Sequence, residues 1–247
     1  MSQRKARSNE RVFVVEGPTV VAEAFASGLD VHELFVGLEA NEDASAFMDL
    51  IASARGDDIP VRFCKAHALG SSLSTVTPQP VAAVVSQPVY ETSEFDPDRP
   101  VLVAVDVRDP GNVGTLVRTA EASGCAGMIV AGTSTDVWSP KVVRASAGAV
   151  LRLKVVVDKA VSEVLEELTN QGRVVAGSVA SGHATPYEQV DLRTAAIVVG
   201  NEARGLDSSV IEACTEQITI ELDGPTESLN AATAGAVLCF EALRQRR

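Results

Sequence analysis

The sequence predicts an α/β protein whose sheet is mostly parallel and covered on both faces. Three observations predict it. Short continuous apolar runs recur along the chain, such as VLVAV at 101–105, MIVA at 128–131 and AAIVV at 195–199, and this is the pattern of strands buried on both faces. Between the runs, apolar residues fall at helical spacing, as in Val113, Leu116, Val117 and Ala120. The runs end in polar turns that carry glycine, and strands alternating with helices imply a parallel arrangement.

In order, RVFVV at 11–15 reads as a strand, 18–26 as a helix with Pro18 near its start, and 31–36 as a second strand. A helix over 44–54, a strand over 59–63, a short helical piece at 65–69 and a strand over 81–85 follow, the last preceded by a polar turn ending in Thr77, Pro78, Gln79 and Pro80. These make a compact α/β unit, 1–90. The acidic stretch VYETSEFDPDR has no sustained period and contains proline, so 91–100 reads as a linker to a second domain, 101–247. In that domain the strand at 101–105 stops before Asp109, Pro110 and Gly111. A helix follows, with Asn112 where an N-cap would stand and Arg118 one turn beyond Gly114. Strands at 128–131, 151–157, 174–179, 195–199 and 217–222 alternate with helices at 140–147 and 161–168, the latter turning Glu163, Glu166 and Glu167 to water. A last helix runs from Ser228 to about Arg244.

At 247 residues and 46% apolar composition the chain can fill a sizeable core. Its start, MSQRKARSNE, has no apolar region after the basic residues, and no run of about 18 apolar residues exists, so the chain reads as soluble and cytoplasmic, without a membrane span. Cys64, Cys125, Cys214 and Cys239 are widely spaced, with no CxxC pair and no histidine at finger-like spacing, so they read as reduced thiols and no metal is expected. His32, His67 and His183 stand apart from the notable turns. The net charge of −12 argues against nucleic-acid binding by bulk electrostatics. The distribution of that charge points the other way: residues 106–154 carry Arg108, Arg118, Lys141, Arg144, Arg152 and Lys154 against four acids, for a local net charge of +2. A local basic patch is the favoured reading, with a solvated surface as the alternative for Arg152 and Lys154.

Three turns carry the chemistry. The first follows 101–105, the second is GNEARGL at 200–206, and the third is the segment DGPTESLN at 223–230 before an Ala- and Gly-rich helix. Each alone is weak, since glycine after a parallel strand is common. Together they put three glycine loops at one edge of one sheet, which favours a nucleotide-like ligand held by backbone groups. A nicotinamide-dependent oxidoreductase is the competing reading. Its fingerprint requires GxGxxG after the first strand, whereas the first loop here reads GNVG.

In this order the turns resemble the three motifs of the SpoU (TrmH-like) family of RNA ribose 2′-O-methyltransferases, within the SPOUT superfamily. Asn112, Gly114, Arg118 and Ala120 stand as in the first motif, Gly200, Asn201, Glu202, Gly205 and Leu206 as in the second, and Gly224, Ser228, Leu229 and Asn230 as in the third. The segment SPKVVRASAGA at 139–149 is also similar to the family. Through RVFVVEGPTVVAEA, VHELFVG and TPQPVAAVV, the first domain resembles the L30e-like substrate-binding domain that many members carry. Departures are Ile220, Glu221 and Leu222 in place of Ile-Pro-Met, Ala231–Ala234 after SLN, and Pro80 where a glycine often follows TPQ.

The resemblance implies a C-terminal deep trefoil knot, S-adenosyl-L-methionine (AdoMet) as cofactor, and a homodimer whose active site draws on both subunits. It implies cofactor contacts from Gly200, Asn201, Gly205, Ile220 and Leu229, and catalytic-site roles for Arg118, Asn112, Glu202, Ser228 and Asn230. Glu202 would hold Arg118 or the target nucleotide, and Ser228 and Asn230 would cap the last helix while contacting cofactor or substrate. Arg108, Lys141 and Arg144 would meet RNA. The implied substrate is 23S ribosomal RNA, with transfer RNA as the alternative and a catalytically inactive RNA-binding protein as the reading from another class.

Overall fold

A computed structural model describes residues 4–39, 44–73, 77–157, 159–180 and 183–247. The chain divides into two compact units, Met1–Pro88 with Trp138–Arg152, and Val89–Val137 with Leu153–Arg247.

The first unit contains α1 (Arg4–Glu10), β1 (Val12–Glu16), α2 (Pro18–Ala26), β2 (Val31–Leu38), α3 (Met48–Gly56), β3 (Val61–Lys65), α4 (Ala66–Ser72) and β4 (Val81–Ser86). Its sheet has the order β1-β4-β2-β3, with β4 antiparallel to both neighbours and β3 parallel to β2. This sheet is therefore mixed, and the predicted parallel arrangement does not extend to it. β4 follows a polar turn and runs back between β1 and β2, which no periodicity in the sequence reveals. The segment from Trp138 packs into the same unit: the Trp138 and Phe13 rings lie 4.9 Å apart, and both are buried.

The second unit starts at Val89 and opens with β5 (Val101–Val105), α5 (Pro110–Ala122) and β6 (Gly127–Ala131). After α6 (Pro140–Ala145), which belongs to the first unit, it continues with β7 (Val155–Val156), α7 (Val161–Asn170), β8 (Val175–Ser178) and β9 (Thr185–Pro186). It ends with β10 (Ala196–Val199), α8 (Ser208–Ala213), β11 (Glu216–Thr219) and α9 (Ala231–Gln245). Its seven strands run in the order β7-β6-β5-β10-β8-β11-β9, and every pair is parallel. Both faces are covered. Val101, Val103 and Val105 join Val164, Leu165 and Leu168 of α7 in one core. On the other face, a Cβ at Gly235 of α9 would collide with Leu116 of α5 and reach Leu102. Each fully buried Leu or Ile contributes roughly 1.5–3 kcal/mol, so the pairing of α5 with α9 is a main hold on the C-terminal helix.

Several boundaries differ from the sequence reading, each for a local physical reason. The N-cap of α5 is Asp109, whose carboxylate accepts from Asn112 N at 2.9 Å; Pro110 takes the first helical position, so Asn112 lies inside the helix. α9 begins at Ala231 and not at Ser228, because Asn230 caps it by accepting from Ala232 N and Thr233 N. The strand expected over 151–157 shrinks to two residues, since Ala149–Leu151 turns as a 3₁₀ helix. Glu163 and Glu166 are exposed, but Glu167 is half-buried, bonded by Lys159 Nζ at 2.9 Å and by Thr92 Oγ1 at 2.8 Å. The Lys159 ammonium holds its carboxyl below the usual glutamate value. The stretch at 91–100 carries a short 3₁₀ turn, Thr92–Glu94, with a capping box, and buries Phe95 in the core of the second unit. α1, α8 and the two-residue β9 have no counterpart in the sequence pattern; they are short, and their apolar pattern is too brief to register.

Candidate active site

In a parallel sheet all carboxyl ends lie on one edge, so the turns after β5, β10 and β11 meet there. β5 ends in Asp106, a non-glycine residue at φ 54°. In that conformation its carbonyl accepts from Asn201 Nδ2 at 3.1 Å and its carboxylate from Thr133 N at 2.5 Å. One residue thus joins the ends of β5, β6 and β10.

The loop after β10 folds back on itself. Asn201 and Gly205 exchange backbone hydrogen bonds of 3.1 and 2.8 Å, and Asn201 Oδ1 accepts from Ala203 N and Arg204 N. Gly200 permits this return, because a Cβ there would stand 2.5 Å from the Gly205 carbonyl. The loop holds Glu202 toward α5, where Asn112 Nδ2 donates to Glu202 Oε1 at 2.5 Å. Asn230 Nδ2 donates to Asn112 Oδ1 at 3.0 Å while its own Oδ1 caps α9. A single run of hydrogen bonds, Asn230 to Asn112 to Glu202, therefore ties together the three turns. Of the two partners the resemblance implied for Glu202, Arg118 or the target nucleotide, Arg118 does not engage it among the described residues; Asn112 does.

Beside this run lies a cavity of about 540 Å³, lined by Ser178–Ala180, Val199–Leu206, Ile211, Ile220, Leu222, Glu227–Leu229, Ala231 and Ala234. Gly200, Asn201, Gly205, Ile220 and Leu229 all line it, as do Glu202 and Ser228. Ser228 is exposed and takes no part in capping α9. Asn112, Arg118 and Asn230 are not in the lining. Arg118 projects from the exposed side of α5 and makes no hydrogen bond or ion pair among the described residues, whereas Gly114, one turn before it, is buried.

The cations fare differently from one another. Arg108, in the second unit, is exposed. In the first unit Lys141 is exposed, Arg144 lies 3.9 Å from Glu16 and Arg152 is 2.7 Å from Glu23. Lys154 Nζ donates to the Glu94 carbonyl. Arg152 and Lys154 are thus engaged within the fold and are not simply solvated surface charges. No group of three or more His, Cys, Asp or Glu side chains that could hold a metal occurs among the described residues, and no described helix is long and apolar enough to cross a membrane.

Sequence pattern does not reveal Asp106 or the lining residues 178–180. Asp106 follows an apolar run like any surface residue, and its left-handed backbone has no sequence signal beyond an Asp at a strand end. Residues 178–180 end a strand whose position between β10 and β11 is decided only by topology.

Residues 99–240 match the family model described as the SpoU rRNA Methylase family, more than half of the chain. The chain belongs to that family. Residues 1–83 match a second model, the MRM3-like substrate binding domain. Among curated members, the chain is 31% identical to a 23S rRNA (guanosine(2553)-2′-O)-methyltransferase of Bacillus subtilis over 96% of this chain and 90% of that protein. Among solved structures it is similar to the SpoU methyltransferase AviRb of Streptomyces viridochromogenes in complex with AdoMet (TM-score 0.87, 27% identity, 99% of this chain and 94% of that one). A structure concerned with 2′-hydroxyl methylation of C/U34 on tRNA matches with TM-score 0.55 and 29% identity, covering 61% of this chain and 98% of that one.

Proposed function

We propose that the chain is an AdoMet-dependent RNA ribose 2′-O-methyltransferase acting on ribosomal RNA, with 23S RNA the substrate class. The observation that carries this reading is the Asn230–Asn112–Glu202 run beside a cavity lined by the second and third turns. The lining suits AdoMet: about 540 Å³ is in the range of small-molecule sites, Ile220, Leu222 and Leu229 offer apolar wall, and the loops offer backbone donors and acceptors. Gly200, Asn201, Gly205, Ile220 and Leu229 would hold it. When bound, the cofactor supplies an electrophilic methyl on a sulfonium.

Attack by a ribose 2′-hydroxyl requires the oxygen, methyl and sulfur in line. Arg118 stands on the exposed side of α5 with its guanidinium uncommitted, and a guanidinium is too weakly acidic to serve well as a base. Its role is to clamp the phosphate next to the target ribose through a bidentate fork. The asparagine run fixes the turns against one another so that the cavity and Arg118 keep their spacing. Arg108, Lys141 and Arg144 extend the RNA contact.

Ribosomal RNA is favoured over transfer RNA by coverage. The Bacillus subtilis 23S rRNA enzyme matches over 96% of this chain, and residues 1–83 match a substrate-binding domain model, whereas the tRNA-related structure covers 61% of the chain. Residues 1–90 are read as an L30e-like RNA-binding domain, followed by the methyltransferase domain from 101. A trefoil knot is supported by the segment between β11 and α9, which runs beside the loops after β8 and β10 to line one cavity with them. A homodimer is supported by α9, on which Phe240 is 48% exposed, whereas Ala232 is buried against its own chain. Free cysteines fit a cytoplasmic setting.

Transfer of labelled methyl from AdoMet to total RNA, followed by mapping of ribose methylation in 23S RNA, tests the function. Absence of transfer to any RNA would leave only an RNA-binding role. Calorimetry showing NAD bound more tightly than AdoMet would overturn the cofactor.

A further inference from the structure

Three ionisable side chains line the cavity: Glu202, Arg204 and Glu227. Glu202 is engaged by Asn112. Glu227 lines the cavity, is exposed, and has no hydrogen bond or ion pair among the described residues. The segment that carries it, IELDGPTESLN at 220–230, holds three carboxylates and no lysine or arginine. An uncommitted carboxylate at a largely apolar, backbone-lined site is a fixed negative charge that a neutral ligand does not require.

Resting on the AdoMet reading, we propose that Glu227 is a specificity-determining residue that favours the sulfonium cofactor over its demethylated product. AdoMet and S-adenosylhomocysteine share the adenosine, the ammonium and the carboxylate, and they differ by one methyl and one positive charge. In the transfer an oxygen lone pair of the ribose forms the new O–CH₃ bond, the S–CH₃ bond breaks with its electrons returning to sulfur, and the hydroxyl proton leaves to solvent. The cofactor thereby changes from net +1 to neutral. A carboxylate facing the cavity attracts the first state more than the second, so the chemistry itself weakens retention of the product. At separations of several ångströms in a partly solvated site this charge difference corresponds to roughly a three- to tenfold difference in affinity.

The experiment is calorimetric titration of the full chain with AdoMet and with S-adenosylhomocysteine, for the wild type, Glu227→Gln and, as a nearby control, Glu221→Gln. The expected result is a Kd for AdoMet raised about three- to tenfold in Glu227→Gln, an unchanged Kd for the product, and a smaller effect at Glu221. An analogue with an amine in place of the methylsulfonium should follow AdoMet, and raised salt should shrink the wild-type preference. Equal weakening of both ligands, no change in either, or an equal effect at Glu221 would overturn the assignment. Failure of the wild type to bind either ligand would instead overturn the cofactor reading beneath it.

Discussion

Two regions of the second unit each present an arginine, one just before β8 and one on α5, and the two are used in opposite ways. Before β8 Arg173 is buried to 6% exposure, and its guanidinium donates to the carbonyls of Asp96, Arg99 and Thr194 at 2.6–2.9 Å. Those carbonyls precede β5 and β10, so the cation gathers chain that would otherwise bury unpaired acceptors. Burial disfavours its charge and shifts its pKa downward, and three of its five N–H donors are taken by these carbonyls. On α5 Arg118 is exposed and without a partner among the described residues, while Asn112 of the same helix, Glu202 and Asn230 are joined to one another. A satisfied buried arginine holds the fold, whereas an unsatisfied exposed one is available for an anion. Substitution at the two arginines should therefore separate stability from activity.

Arg118→Ala should show the largest effect, a loss of methyl transfer of at least about 100-fold with thermal stability and AdoMet affinity nearly unchanged. Arg118→Lys should recover little of it, because a point charge does not reproduce the fork. Near-normal turnover by the lysine variant in a methyl-transfer assay would break the clamp.

Before β8, Arg173→Leu should destabilise by roughly 3 kcal/mol, since three carbonyls lose their donor, and should lower activity only in proportion to the folded fraction. Denaturant unfolding measures it. A stable but inactive Arg173→Leu protein would erase the contrast between the two arginines.

Gly200→Ala should weaken AdoMet binding about tenfold or more at modest loss of stability, because the new Cβ would meet the Gly205 carbonyl at 2.5 Å and open the loop. Calorimetry beside a melting curve separates the two quantities.

Asn230→Ala removes the cap of α9 and the bond to Asn112 together, with an expected cost of about 1 kcal/mol in stability and a larger loss in turnover. Asn230→Asp keeps the cap acceptor and loses the donor to Asn112, so a variant with restored stability and unrestored kcat would sharpen the division between the two jobs.

The smallest effect is expected away from both arginines, at the half-buried ion pair beside α7. Glu167 has a carboxyl held low by Lys159, so the pair stabilises above the ordinary glutamate value and its contribution fades as pH falls through the lowered folded value. Lys159→Ala should cost below about 1 kcal/mol at neutral pH and nothing in strong acid, as followed by melting temperature against pH.

The sequence by itself determined the parts that depend on local pattern. Continuous apolar runs marked β5, β6 and β10, because a strand covered on both faces needs no polar side chain. The bounds of α2 followed from Pro18 and the apolar spacing behind it. The residues of the three turns were legible too, since glycine and amide side chains at strand ends carry a backbone meaning that survives without neighbours. Tertiary structure alone decided what those residues touch. That Asn112 meets Glu202 across 90 positions, and Asn230 across 118, depends on β5 and β10 lying side by side and on α9 packing against α5. The motifs implied Arg118 or the target nucleotide as the partner of Glu202, while the fold joins Glu202 to Asn112, because a side chain's partner within the chain is set by strand order and helix packing, neither of which a local pattern encodes. The same holds for Asp106, whose left-handed turn at the end of β5 is stabilised by Asn201 and Thr133, groups that arrive from two other strands.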